Sequence, residues 1–151
     1  MVNKGYDIVF RPHPELFKNI ANTDEKFIDL FDIPDEIYLS RDESYQELLN
    51  NSSVLVTDFS SVFFDFAYLK KPVIYFHPEN DPYHYEGSYF DYETMAFGKE
   101  LGTTDEVLGK LDEYIENGCE MEDEYKKRVD DFFTYTDQNN CKRVYEWILE
   151  H

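Results

Sequence analysis

The sequence predicts an α/β fold, a doubly wound parallel sheet, and two observations carry that expectation. The first is the stretch Val54 to Phe76, V-L-V-T-D-F-S-S-V-F-F-D-F-A-Y-L-K-K-P-V-I-Y-F. It reads as strand, tight turn, helix and strand, with polar atoms only where the chain changes direction. The second is the alternation of short apolar runs with amphipathic segments over short connections, the pattern of strands joined by helices in a parallel sheet.

In the central stretch, Val54, Leu55 and Val56 form an apolar run expected for a strand buried on both faces. Thr57-Asp58-Phe59-Ser60-Ser61 then brings hydroxyls and a carboxylate to its carboxyl end. Val62 to Leu69 is apolar nearly all round apart from Asp65, a helix expected to press into the core. Lys70-Lys71-Pro72 stops it, because proline disfavours helical geometry in the residue before it. Val73 to Phe76 is the next strand. Open sheets of this kind bind ligands beyond the carboxyl ends of their strands. Ser60 and Ser61 stand at the helix start, where free backbone N–H groups attract anions, and Asp65 shares a helix face with Ser61. Two readings stand side by side: a polar ligand held at this turn, or an ordinary serine N-cap with Asp65 complementing the helix dipole.

Taken in order, the chain opens with a strand over Tyr6 to Phe10, followed at once by Arg11-Pro12-His13-Pro14. The prolines are expected to keep this segment out of helix and sheet, presenting Arg11 and His13 stiffly at a strand's carboxyl end. Such residues suit holding phosphate or moving a proton. Glu15 to Asn19 reads as a helical turn, Asp24 to Phe31 as a short helix capped by Thr23, and Ile37-Tyr38-Leu39 as a strand. Ser44-Tyr45-Gln46-Glu47 has the form of a capping box opening a helix through Leu49. After Phe76, His77 to Lys99 reads as a long aromatic loop, either an ordered wall beside the ligand or a loop packed on the domain. Asp91 and Glu93 within it lack a third ligand for a metal. Thr103 to Glu106 is a second capping box; Val107, Leu108, Leu111 and Ile115 form the stripe of its helix, and Gly118 stops it. Glu122 to Phe133 is a charged helix with Tyr125, Val129 and Phe132 on its apolar face. Asn139 or Asn140 caps a last helix carrying Val144, Trp147 and Ile148.

Residues 1–148 read as a single domain, and Leu149-Glu150-His151 as a tag remnant. The 33 acidic against 14 basic residues give a net charge of -19, which excludes a nucleic-acid partner because no basic footprint is present. An anionic ligand must therefore be held by a local site against the overall field. Aromatic residues make up 18% of the chain, too many for a disordered acidic tail. Cys119 and Cys141 lack metal-ligand spacing and read as a reduced pair, with a disulfide left open. No apolar run is long enough to span a membrane.

Three segments in this order resemble the C-terminal, nucleotide-binding part of the CDP-glycerol glycerophosphotransferase family, the polymerases and primases of teichoic acids. They are F-R-P-H-P-E-L at Phe10 to Leu16, S-Y-Q-E-L-L at Ser44 to Leu49, and T-D-F-S-S-V-F-F-D-F-A-Y-L-K-K-P-V-I-Y-F at Thr57 to Phe76. G-S-Y-F-D-Y-E at Gly87 to Glu93 and N-N-C-K-R-V-Y at Asn139 to Tyr145 extend the resemblance over nearly the whole chain. It implies a Rossmann-like domain, the C-terminal half of a GT-B fold, with the active site in the cleft between two such domains. It implies transfer of glycerol phosphate from CDP-glycerol to a teichoic-acid-type polymer or lipid-linked primer, with release of CMP, no cofactor and no essential metal. His13 would assist phosphoryl transfer as a base or as a contact stabilising the phosphate, with Arg11 in support. Ser60 and Ser61 would hold the pyrophosphate, Asp65 the ribose, and Thr57 and Asp58 would shape the pocket. Many members carry a basic residue where this chain has Glu86 before Gly87, which removes one expected phosphate contact.

Because the chain begins almost at R-P-H-P, the resemblance also implies an N-terminally truncated piece of a longer protein, inactive by itself, with Met1 an artificial start or a truncated reading frame. The parent protein would be cytoplasmic, peripheral at the inner membrane face through parts absent here, and would supply the acceptor side. Two alternatives remain. One is the corresponding half of a GT-B enzyme that uses a nucleotide sugar, since His-Pro and Ser-Ser pairs also occur in some bacterial sialyltransferases. The other is a non-catalytic α/β module such as a receiver domain, which would place an acidic pair where this chain has Arg11 and His13.

Overall fold

The computed structural model describes residues 4–19, 33–41, 43–78 and 89–151. The chain divides into two compact units, Met1–Asn51 and Ser52–His151. The expected helix over Asp24 to Phe31 with its Thr23 cap, and the Glu86-Gly87 pair, lie outside the described residues.

In the first unit, β1 (Ile8–Phe10) leads into α1 (Pro14–Asn19), and β2 (Ile37–Leu39) into α2 (Tyr45–Asn51). The two strands run parallel, with Ile8 opposite Ile37 and Phe10 opposite Leu39. Ser40 N–H extends the pairing by donating to Phe10 O at 3.0 Å. The capping box forms as expected: Glu47 N–H donates to Ser44 Oγ at 3.1 Å, and Ser44 N–H returns a bond to Glu47 Oε2 at 3.3 Å. The two prolines behave differently from expectation. Pro12 stays outside regular structure, but Pro14 opens α1 as its first residue, where a missing N–H costs nothing and the fixed φ is already helical.

The second unit begins with β3 (Leu55–Thr57), α3 (Val62–Tyr68) and β4 (Val73–Phe76). It continues with α4 (Tyr92–Met95), β5 (Gly98–Leu101), α5 (Thr104–Glu116), α6 (Asp123–Phe132) and α7 (Asn140–Glu150). Its sheet has the order β3-β4-β5, all parallel. Successive residues of a strand face opposite sides, and β4 shows both sides covered. Ile74 packs with Val107 and Tyr114 of α5, while the ring of its neighbour Tyr75 meets Phe63 of α3 at 5.1 Å. Helices on both faces of a parallel sheet are the α/β architecture expected from the sequence, here with the parallel strands in sheets of two and three.

Three local expectations change. β3 is not buried on both faces: Val56 is 42% exposed. It shares a face with Ile74, but α5 packs on β4, and β3 lies one strand further out. The central, most deeply buried strand is β4, whose Val73, Ile74 and Tyr75 are all inaccessible while Phe76 is partly buried. Next, α3 is not buried all round, although it is apolar nearly all round apart from Asp65. Phe63, Phe66 and Ala67 are buried, while Tyr68 and Leu69 join Asp65 in solvent. Finally, the segment expected as one long loop contains α4 and β5. β5 carries the sequence G-K-E-L, with little intrinsic preference for a strand; pairing with β4 makes it one. Gly98 is required there, since a Cβ would lie 1.8 Å from Val73 O.

The capping box at Thr103 is complete, with Glu106 N–H donating to Thr103 Oγ1 and Thr103 N–H to Glu106 Oε2. The buried stripe of α5 runs through Val107, Leu111 and Tyr114, and Leu108 is exposed. Gly118 follows its end at φ +79°, the left-handed geometry that stops helices. α7 forms, yet Val144, Trp147 and Ile148 on it are exposed. Cys119 and Cys141 form no disulfide. Among the described residues, no helix is long and apolar enough to cross a membrane.

Candidate substrate-binding site

β3 ends at Thr57, paired with Tyr75, and the turn Asp58 to Ser61 carries the chain into α3. Thr57, Asp58, Ser60, Ser61 and Asp65 therefore stand on one strand–turn–helix unit at the carboxyl end of a parallel strand. Ser60 Oγ accepts from Val62 N–H at 3.4 Å, a long bond. Ser61 already has helical backbone angles, and its hydroxyl makes no capping bond. Capping thus falls weakly on Ser60 and leaves the Ser61 hydroxyl without a cap bond. Asp58, Ser61 and Asp65 are exposed, while Thr57, Phe59 and Ser60 are half-buried. Because α3 has only 7 residues, its dipole is small. The hydroxyls, rather than the helix end, are the stronger polar feature of this turn.

The unit is anchored from behind. Lys70 leaves the helix at φ 55° and pairs with Asp130 of α6 at 2.7 Å. Lys71 Nζ donates to Ser52 O at 2.7 Å, tying the end of the helix to the segment that leads into β3. On the far side, Phe59 of the turn stacks on His77.

Arg11 and His13 belong to the first unit. His13 is exposed and caps α1: its Nδ1 accepts from Glu15 N–H at 3.2 Å and its carbonyl accepts from Leu16 N–H at 2.9 Å. An accepting Nδ1 places the proton of the neutral ring on Nε2, so the free edge of His13 is a hydrogen-bond donor. Arg11 Nη1 donates to Ser40 Oγ at 3.2 Å, and its guanidinium lies 5.2 Å from the Tyr45 ring centroid, a cation–π contact. Its Nε is buried without a hydrogen-bond partner among the described residues.

Sequence reasoning missed the groups that hold Arg11. Ser40 is fully buried and donates to Glu43 Oε2 at 2.7 Å. Glu43 also accepts from the Tyr38 hydroxyl and from Arg41 N–H. These bonds, the Tyr38 bond foremost, hold its carboxyl at about 2. A signal was present: Ser40 and Glu43 repeat the S-x-x-E spacing of the capping box at Ser44 and Glu47. His77 was missed as well, although His77-Pro78 repeats the His13-Pro14 pair at a strand end. Asp91, weighed as a metal ligand, caps α4 by accepting from Glu93 N–H and Thr94 Oγ1, both at 2.9 Å.

Residues 1–150 match the family model described as CDP-Glycerol:Poly(glycerophosphate) glycerophosphotransferase. The chain belongs to this family. Among its relatives is the minor teichoic acid biosynthesis protein GgaB of Bacillus subtilis, 45% identical over 147 residues, covering 97% of this chain and 15% of the relative. The teichoic acid poly(glycerol phosphate) polymerase of Bacillus subtilis is 51% identical over 41 residues, 27% of this chain and 6% of that protein. The teichoic acid poly(ribitol-phosphate) polymerase of Bacillus spizizenii is 37% identical over 78 residues, 52% of this chain and 12% of that protein. The chain thus spans less than a fifth of the length of each of these relatives. No solved structure matches it significantly.

Membership of the glycerophosphotransferase family confirms the resemblance drawn from F-R-P-H-P-E-L and the serine-turn block. It also gives both units a family context, since the match runs through residues of each.

Proposed function

We propose that this chain is the donor-binding part of a CDP-glycerol glycerophosphotransferase, the C-terminal half of a GT-B architecture. In this reading the enzyme transfers glycerol phosphate to a teichoic-acid-type acceptor and releases CMP at the cytoplasmic membrane face. The observation that carries it is the family match over residues 1–150, with the two-serine turn at the carboxyl end of β3 inside it.

In this reading an acceptor hydroxyl oxygen attacks the phosphorus bearing glycerol. The bond from that phosphorus to the bridging oxygen breaks, its electron pair leaves with CMP, and the hydroxyl proton passes to a base. Such transfers depend on positioning and on stabilising charge at the phosphate oxygens. The Ser61 hydroxyl, which caps nothing, and its neighbour Ser60 suit the pyrophosphate, Asp65 a ribose hydroxyl, and Thr57 and Asp58 the pocket wall. The donor edge of His13 fits a contact to the transferring phosphate better than the role of base. Arg11, tethered through Ser40, supports that phosphate by charge. The ribitol name of one relative leaves another polyol as a competing donor for this chain.

Titration of the chain with cytidine, CMP, CDP, CDP-glycerol and CDP-ribitol, followed by amide NMR, tests the reading. CDP compounds should bind more tightly than cytidine and move the Ser60 and Ser61 amides. Identical responses to cytidine and CDP would remove the phosphate assignment.

A further inference from the structure

His77 stands one residue beyond β4, at the carboxyl end of the sheet, and its N–H donates to Leu101 O at 2.9 Å. Its side chain is only 7% exposed. Nδ1 lies 2.7 Å from Glu100 Oε1. An ionised carboxylate has no proton to give, so Nδ1 donates and the ring is held in one rotation. The flat face lies on Phe59, with centroids 4.0 Å apart and planes 7° from parallel. Tyr92 meets the ring perpendicular to it at 4.7 Å. Nε2 is buried with no hydrogen-bond partner among the described residues.

We propose that His77 is a positioning residue of the donor site: clamped by Glu100, its ring sets the plane of Phe59 and thereby the stance of the Thr57–Ser61 turn. The inference rests on the reading of that turn as the donor site. Phe59 lies between Asp58 and Ser60, so rotation of its ring is coupled to the backbone that presents both. The bond from Val62 N–H to Ser60 Oγ is long and the Ser61 side chain caps nothing, so a stacked ring has leverage on where these hydroxyls stand. Histidine combines the two properties needed. Phenylalanine would keep the stack without the bond, and asparagine would keep an N–H without the stack. The contacts its Nδ1 and its flat face make are the two that reach Glu100 and the turn.

The test uses the 151-residue chain and its variants His77→Phe, His77→Asn, Glu100→Leu and Glu100→Gln. Glu100 is about half exposed, so its variants should fold, and they change no ring near the turn. In the ligand-free protein, Glu100→Leu should shift the amide resonances of Thr57 to Ser61 and leave those of α7 in place. Glu100→Gln, which keeps an acceptor oxygen, should restore them. CDP affinity should fall about three- to tenfold in Glu100→Leu, His77→Phe and His77→Asn, and stay within about twofold in Glu100→Gln. Unmoved turn amides in ligand-free Glu100→Leu would overturn the proposal, as would Glu100→Gln behaving like Glu100→Leu. Turn amides that move in a chain that does not bind CDP would uphold the coupling of His77 to the turn and discard the donor-site reading instead.

Discussion

Ser40 donates its hydroxyl proton to Glu43 Oε2 at 2.7 Å while its oxygen accepts from Arg11 at 3.2 Å. A fully buried hydroxyl thereby joins a guanidinium to a carboxylate and fixes the side chain that precedes Pro12 and His13. Arg11 is thus held by its own unit, and in its proposed role of supporting a phosphate this preorganisation would limit the rearrangement needed on binding.

Ser40→Ala should destabilise the first unit by about 1–3 kcal/mol, because it leaves a guanidinium N–H and the Glu43 carboxylate each short of a partner. Urea denaturation followed at residues of β1 and β2 measures this, and an unchanged midpoint would show that the relay carries no weight.

Glu43 gives the chain an acid limit. Its carboxyl is held at about 2 against an ordinary 4.5. A carboxylate whose folded value is depressed contributes stability above the unfolded value and loses it as pH falls toward the folded one. The midpoint difference between the wild type and Glu43→Gln should therefore be constant above about pH 5 and shrink between about pH 4.5 and 2. A difference independent of pH across that window would refute the assignment.

His13 offers a separation of cap from chemistry. Asparagine is a good N-cap but has no counterpart of Nε2. In the protein that carries the activity, His13→Asn should preserve thermal stability while lowering turnover by roughly 100-fold, the cost of losing one donor to the transferring phosphate, with a much smaller change in donor affinity. Equal turnover in wild type and variant would leave His13 as the cap of α1 and nothing more.

The serine pair should divide in the same way. Ser61→Ala should change stability by no more than about 0.5 kcal/mol, since its hydroxyl caps nothing. It should nevertheless weaken CDP binding by about tenfold, the value of one hydrogen bond to a charged group. Calorimetry on the two proteins decides it; unaltered affinity would move the phosphate away from Ser61.

Elements that depend only on neighbours in the chain were legible from local signals. The boxes at Ser44 and Thr103, the run from Val54 to Phe76 and the stop at Gly118 each need only a few adjacent residues. What stayed hidden is made by distant partners. β5 becomes a strand through β4, and Tyr114 joins the core by lying one helical turn beyond Leu111. Arg11 finds Ser40 across 29 residues, and His77 finds Glu100 across 23. No window of the sequence contains either pair. The candidate site followed the same division: Ser60, Ser61 and Asp65 were legible from one motif, whereas the groups that orient Arg11 and Phe59 were not.

Gly98→Ala should be the most damaging conservative change in the second unit. Its Cβ would lie 1.8 Å from the backbone oxygen of Val73, where no side chain can yield. A loss of more than about 3 kcal/mol is expected from thermal or urea unfolding, and a near-neutral result would mean that β5 can stand off from β4.

That near-contact also acts as an index mark. With Gly98 opposite Val73, Glu100 falls opposite Tyr75, close enough for its carboxylate to reach His77 one step beyond β4. Sliding β5 by one residue would press the Cβ of a neighbouring residue into the Val73 carbonyl and turn Glu100 to the other side of the sheet. A residue with no side chain therefore assigns the address of a carboxylate two positions away, and the hydrogen bond between Glu100 and His77 is specified by steric exclusion at Gly98.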